Sequence, residues 1–192
     1  MTIDTLTPDG GLPVAEINVN GSHYMLILAP NGDGDCEDVA WNESLKQVNG
    51  ALSYCDGAAN TAAMLAAGSE LAKWARGLRL GGFDDWYLPS LDELELCYRY
   101  LKPTTNDNYC YGRAGINVSA LPPRYPYTPD DPQQTVNKPY RKGGAEAFAA
   151  AWYWSSTQSA ATPDYAWLQY FYGGNQHLYP KSSHYRARAV RR

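Results

Sequence analysis

The stretch from Lys102 to Lys142 constrains the fold most: it is rich in Pro, Thr, Asn and Tyr and carries neither a helical nor a strand period. Irregular segments of this length inside a compact domain serve a function or move. Their backbone N–H and C=O groups need partners from outside any regular ladder.

Ahead of it, INVNGSHYMLILAP (17–30) reads as two strands about the Asn20-Gly21 turn, because Asn-Gly favours hairpin geometry and both flanks are β-formers. With Asn60 as N-cap, TAAMLAAGSELAKWARGLRL places Met64, Ala67, Leu71, Trp74 and Leu78 on one helical face, and Gly81-Gly82 ends that helix. FDDWYLP follows as an extended piece. Ser90 and Glu93 then form the capping box of a second helix, buried along Leu91, Leu94, Cys97, Tyr98 and Leu101 and followed by Pro103. Behind the irregular stretch, GGAEAFAAA (143–151) is expected to form a short helix. Strands follow at 152–156, 166–171, 176–180 and 186–190, with a Gly173-Gly174 turn between the second and third. Helices in the middle and an antiparallel sheet at the end predict one α+β domain over residues 1–192.

Charge and composition exclude several functions. A net charge of −4 argues against a generic nucleic-acid binder, which needs a basic face to displace counterions from phosphates. No stretch is apolar enough to span a bilayer, and MTIDTLTPDGG has neither the basic start nor the apolar core of a signal peptide. The expectation is a chain made and kept in the cytoplasm unless carried out in a larger particle. Cys36, Cys55, Cys97 and Cys110 are even in number, which permits disulfides, but the missing export signal favours free thiols. No CxxC pair supports zinc. Asn31, Asp33, Asp35 and Asp38 imitate the start of a calcium loop. Cys36 stands at its required glycine and Asn42 at its closing glutamate, so a solvated turn competes with calcium, the one cofactor left open.

With GGFDDWYLPSLDEL, YWSSTQ, AWLQYF, GGNQ and RARAVRR in order, the chain resembles the Lcl C-terminal-like family of C-type-lectin-fold domains, in its prophage-encoded branch. The resemblance runs from about Ile17 to the end and is weakest over 102–142. It implies a C-type-lectin-like fold: two helices, a mixed sheet joining both termini, and a long loop region held by a hydrophobic frame to which Trp86, Trp154, Trp167 and the Ser90 cap belong. Related domains include the enzyme that converts cysteine to formylglycine in sulfatases, which needs a late cysteine pair; here no cysteine follows Cys110. Other relatives are variable proteins of diversity-generating retroelements, whose randomised codons end in C and cannot encode Trp, Gln, Lys, Met or Glu. The positions Leu168, Tyr170, Tyr172, Gly173, Asn175, His177, Leu178, Tyr179, Pro180, Ser182, Ser183, His184 and Tyr185 all fit that code, whereas Trp167, Gln169, Gln176 and Lys181 do not.

Tyrosines outnumber phenylalanines 16 to 3, and many of them fall near the C-terminus. By strand alternation, Trp167, Gln169 and Phe171 are expected to pack inward, with Leu168, Tyr170 and Tyr172 facing out. The candidate ligand-binding residues are Tyr165, Leu168, Tyr170, Tyr172, Asn175, His177, Tyr179, Ser182, Ser183, His184 and Tyr185, which offer stacking faces and hydrogen-bonding tips. The competing reading buries these rings in the sheet or in a subunit interface. Arg186, Arg188, Arg191 and Arg192 could bind an anionic ligand or pair with Asp84, Asp85 or Asp92. Asp84, Asp85, Asp92, Glu93 and Glu95 are the only cluster dense enough for paired-carboxylate catalysis, but Glu93 has a capping role and Asp92 and Glu95 are expected on the exposed side of the helix. No catalytic residue is therefore assigned.

The resulting expectation is a non-enzymatic recognition module of a phage or prophage tail or fibre, located on the virion and probing a glycan or protein receptor on the bacterial surface. Its other partners would be phage tail proteins and further copies of itself in an oligomer, with no nucleic acid and no membrane insertion. A structural tail-tip or assembly adaptor is the alternative, and a polysaccharide-acting enzyme the third reading.

Overall fold

The computed structural model describes residues 10–192; the N-terminal segment on which the missing export signal was read lies almost wholly outside the described residues. Strands β1 (Leu12–Val19) and β2 (Ser22–Leu28) form the expected hairpin about Asn20-Gly21, both in the left-handed region. β3 (Asp35–Ala40) follows, then helices α1 (Gly57–Ala66), α2 (Glu70–Gly77) and α3 (Leu91–Leu101). After the irregular segment come β4 (Trp152–Gln158), β5 (Tyr165–Tyr170), β6 (Gln176–Pro180), β7 (His184–Arg188) and β8 (Val190–Arg191). The architecture is α+β, with one sheet ordered β1-β2-β8 and another ordered β3-β7-β4-β5-β6.

The last strand joins the ends of the chain. β7 lies between β3 and β4, parallel to β4, and two residues later β8 pairs antiparallel to β2 through Ile27↔Arg191 and Leu28↔Val190. Ala189 makes the crossing, donating its N–H to Gly34 and accepting that of Ala29. The closing arginines do enter salt bridges, but with other partners than expected in three of four cases. Arg191 takes Asp85, Arg186 takes Asp35 and Glu37, Arg188 takes Glu146, and Arg192 takes Asp56.

The helices correct the sequence reading in three places. The single helix expected after Asn60 is two: Gly68 adopts a left-handed φ of 79°, and Ser69 starts α2 by accepting the Ala72 N–H while donating to the Trp41 carbonyl. Ala67 is consequently exposed, and the helical run ends at Gly77, ahead of Gly81-Gly82. Asp56, not Asn60, caps α1; Asn60 is buried and bridges the backbone of Ser53 through its side-chain amide. Residues 143–151 form turns instead of a helix, because Glu146 is committed elsewhere: its side chain and carbonyl accept from the fully buried Arg188, and its carboxylate also accepts the Asn31 N–H.

The α3 capping box is present, and Glu93 additionally accepts the Gly57 N–H and the Tyr87 hydroxyl. Asp92 and Glu95 are buried, contrary to the exposed positions expected for them. Both hold the irregular segment. Asp92 accepts from Arg113 (3.0 Å) and Ser119 (2.7 Å), and Glu95 from Asn117 (2.7 Å), Tyr127 (2.9 Å) and Arg99 (2.9 Å). Arg99 also donates to the carbonyls of Gly115 and Tyr125, and Asn108 to those of Thr128, Pro129 and Pro132. Side chains thus supply the partners that a ladder would have supplied. Between 102 and 142 the only regular element is one 3-10 turn at Lys138–Tyr140.

Apolar packing falls into one cluster between the hairpin sheet and α3, around Ile17, Leu94, Tyr98 and Phe171, a second around Trp41, Met64, Leu71, Trp154 and Leu168, and a smaller third around Ala29, Leu78, Trp86 and Ala189. Of the expected frame, Trp86 and Trp154 are fully buried and Trp167 is half-buried against Tyr54. The four cysteines are free thiols. Among the described residues no helix is long and apolar enough to cross a membrane.

Candidate functional site

The register of β4, β5 and β6 sets one face of the larger sheet. Trp152 pairs with Tyr170, Trp154 with Leu168, and Leu168 in turn with His177, so these side chains alternate onto the same side. Trp152 stacks on Tyr170 with ring centroids 4.6 Å apart and planes 15° from parallel, and Tyr170 continues to Tyr172 at 5.8 Å. In the other direction Trp152 meets Tyr179 at 5.8 Å and His177 at 6.4 Å, and Tyr179 meets Tyr185 at 5.2 Å. The result is a row of touching rings from Tyr172 to Tyr185, graded in exposure: Tyr172 is exposed (47%), while Tyr170, Trp152, Tyr179 and Tyr185 are half-buried. Burial, and the neighbouring Tyr179, raise the Tyr185 phenol above its ordinary pKa, so it remains a neutral hydrogen-bonding group at neutral pH.

Beside this row is a shallow groove of about 420 Å³ whose lining includes Trp152, Tyr170, Tyr185, His184, Glu37 and Asp38. An irregularity in β3 between Cys36 and Val39 places Glu37 and Asp38 there, with Asp38 at a φ of 51°. His184 Nδ1 lies 3.0 Å from the Asp38 carbonyl and 3.5 Å from its carboxylate, and Nε2 lies 3.9 Å from Glu43. Arg186 joins Asp35, Glu37 and the Tyr153 hydroxyl. Burial raises the Asp35 carboxyl above the usual range, against the lowering effect of Arg186 and Arg188.

Most of the expected site residues come together here. Tyr170, Tyr172, His177, Tyr179 and Tyr185 form the row, His184 borders the groove, Asn175 lies in the β5–β6 turn, and Ser182 and Ser183 lie in the β6–β7 turn. Two expectations need correction. Leu168 lies on the predicted side of β5 but is fully buried, because that end of the face is covered by the cluster of Trp41 and Trp154. Tyr165 alternates to the opposite side, with Trp167, and makes no ring contact with the row. Gln169 and Lys181 are buried with their polar ends satisfied, Lys181 donating to Lys46 and Gln158 and Gln169 to Gly174.

Trp152, at the centre of the row, was missed, as was Glu37, and Asp38 was read only as part of the calcium-like spacing. The alternation of Trp152 with Trp154 was a readable signal for the first; the carboxylates reach the face only through the β3–β7 pairing. Within the calcium-like spacing, Asp35 is engaged by Arg186 and Asn31 by residues 145 and 146; among the described residues no group of three or more His, Cys, Asp or Glu could hold a metal ion. Of the carboxylates weighed for acid–base chemistry, Asp92 and Glu95 accept from the anchored segment, and Glu93 accepts from the Gly57 and Ser90 N–H groups and the Tyr87 hydroxyl.

Residues 33–191 match the Lcl C-terminal domain. The chain belongs to that family. The matched span includes β3 with its irregularity, the helices α1, α2 and α3, the irregular segment and the whole larger sheet; of the described strands it leaves out β1 and β2. No curated protein matches the chain. As a family member it carries the ring row on the part of the domain that the match covers.

Proposed function

We propose that this Lcl C-terminal domain is a non-enzymatic recognition module, carried on the tail or a fibre of a phage or prophage particle, that contacts a receptor on the bacterial surface through the ring row of its C-terminal strands. The carrying observation is the continuous row from Tyr172 through Tyr170 and Trp152 to Tyr179 and Tyr185, open to solvent at its Tyr172 end. Tyr and Trp give large amphipathic contact area with little rotamer entropy to lose, which is why they dominate binding hot spots. The virion location and phage partners rest on the prophage-branch resemblance. Variation by a retroelement is compatible with the burial pattern at Gln169 and Lys181, which are part of the frame.

The test is binding of the purified chain to bacterial envelope fragments, compared with Tyr170→Ala/Tyr172→Ala. Each truncation is expected to cost about 2 kcal/mol of binding, the scale of a hot-spot tyrosine, with little change in thermal midpoint. Unchanged binding in the double variant would defeat the proposal. The assembly-adaptor reading has one observation in its favour, the exposed Tyr111, Val118, Tyr125 and Val136 of the irregular segment, an apolar set suited to contact with further copies or with tail proteins.

A further inference from the structure

The groove beside the ring row differs from the row in its charge. Glu37 and Asp38 line it, Glu43 stands 3.9 Å from His184 at its border, and Asp35 lies behind. The one guanidinium present, Arg186, is already engaged: it bonds Asp35 at 3.0 Å, Glu37 and the Tyr153 hydroxyl, and is only 24% exposed. Asp38 and Glu43 are 87% and 79% exposed, and the contact each makes here is to the His184 ring, which carries charge only when protonated. With Arg186 matched to Asp35 and Glu37, the exposed Asp38 and Glu43 leave the groove negative.

The same groove is also lined by aromatic rings, with Trp152 and Tyr170 stacked on each other and Tyr185 beside them. Carboxylates and aromatic rings lining one shallow groove match a cation: the ring quadrupole attracts it and the carboxylates neutralise it. An anionic partner would meet repulsion. The groove is open and continuous with an extended apolar row, the shape expected for a side chain presented by a protein surface rather than for an enclosed small molecule.

We propose that the partner of this face is a protein segment that inserts a lysine or arginine side chain between Trp152 and the Asp38 carboxylate. This rests on the recognition reading above and specifies the chemistry of its ligand. Binding then weakens with salt, because the carboxylates are exposed and screened.

The experiment is calorimetric titration of the full chain with penta-arginine, with penta-glutamate, and with a glucosamine oligomer of equal length. Penta-arginine is expected to bind, with affinity falling about tenfold in Asp38→Asn/Glu43→Gln and by a similar factor in Trp152→Leu. Asp38→Asn suits the left-handed φ at that position, and Asp84→Asn, outside the groove, should leave the affinity unchanged. Insensitivity of penta-arginine binding to Asp38→Asn/Glu43→Gln, equal loss in Asp84→Asn, preferential binding of penta-glutamate, or preference for the glucosamine oligomer would each overturn the inference. If envelope binding depends on Tyr170 and Tyr172 while penta-arginine does not bind, the cationic assignment fails and the recognition reading stands. If envelope binding also ignores those tyrosines, the recognition reading is what fails.

Discussion

The ring face and the irregular segment solve the same problem in opposite ways. On β4, β5 and β6 the backbone satisfies its own N–H and C=O groups through the ladder, so outward rings such as Trp152 and Tyr170 meet mainly their ring neighbours. Between 102 and 142 there is almost no ladder, and the polar work passes to side chains: Asp92, Glu95, Arg99, Asn108 and Asn117 each hold part of the segment in place. A regular backbone frees its side chains for contact with something else. An irregular one conscripts them.

The sharpest way to break this contrast is to remove an anchor. Glu95→Ala leaves Arg99, Asn117 and Tyr127 facing a buried gap, and the expected loss is about 3–5 kcal/mol in urea unfolding, enough to free the segment or unfold the domain. A loss as small as that of a surface change would refute the anchoring role.

A second, smaller effect is a pH dependence set by Glu93. Burial raises its carboxyl to about 7, outweighing the hydrogen bonds from Ser90 and Tyr87 and the Arg192 charge. A raised folded-state pKa means that the contribution is fully present below the unfolded value, near 4.5, and is lost as pH rises through about 7. Burial raises Asp92 and Glu95 in the same direction. Unfolding midpoints should therefore fall between pH 5 and pH 8 by an amount on the order of 2 kcal/mol, and Glu93→Gln should flatten the profile. The substitution suits the site: one amide oxygen can accept the Gly57 and Ser90 N–H groups while the amide nitrogen donates to Tyr87. An unchanged profile in Glu93→Gln would assign the dependence elsewhere.

The smallest effect belongs to the ring face. His177→Ala, at an exposed residue whose ring nitrogen bonds only the neighbouring Leu178 carbonyl, is expected to shift stability by no more than about 0.5 kcal/mol. A shift comparable to Glu95→Ala would mean that the face is structural after all and would erase the contrast between the two regions.

Much of the frame was legible because its signals are local. The Asn20-Gly21 turn, the Ser90–Glu93 box and the apolar stripe of α3 each depend on residues a few positions apart. Alternation along β5 placed Tyr170 and Tyr172 correctly and put Leu168 on their side, but it could not say that Trp41 and Trp154 close over Leu168. Alternation with Trp154 could put Trp152 on one face of β4, but its place at the centre of the row requires the Trp152↔Tyr170 register. The burial of Asp92 and Glu95 was illegible for a related reason. A charged residue on a helix reads as solvent-facing unless a distant segment supplies its donors, and here those donors come from residues 113–127.

By itself the amino-acid sequence determined the fold class, the hairpin, the capped helix and the ring-bearing strands, because each is written in short-range spacing that the backbone must obey. Only the tertiary structure decided which carboxylates are anchors and which line the groove. That choice depends on what a distant part of the chain brings within hydrogen-bonding distance: α3 received Arg113, Asn117 and Tyr127, whereas Asp38 and Glu43 received only His184 and kept their charge at the surface.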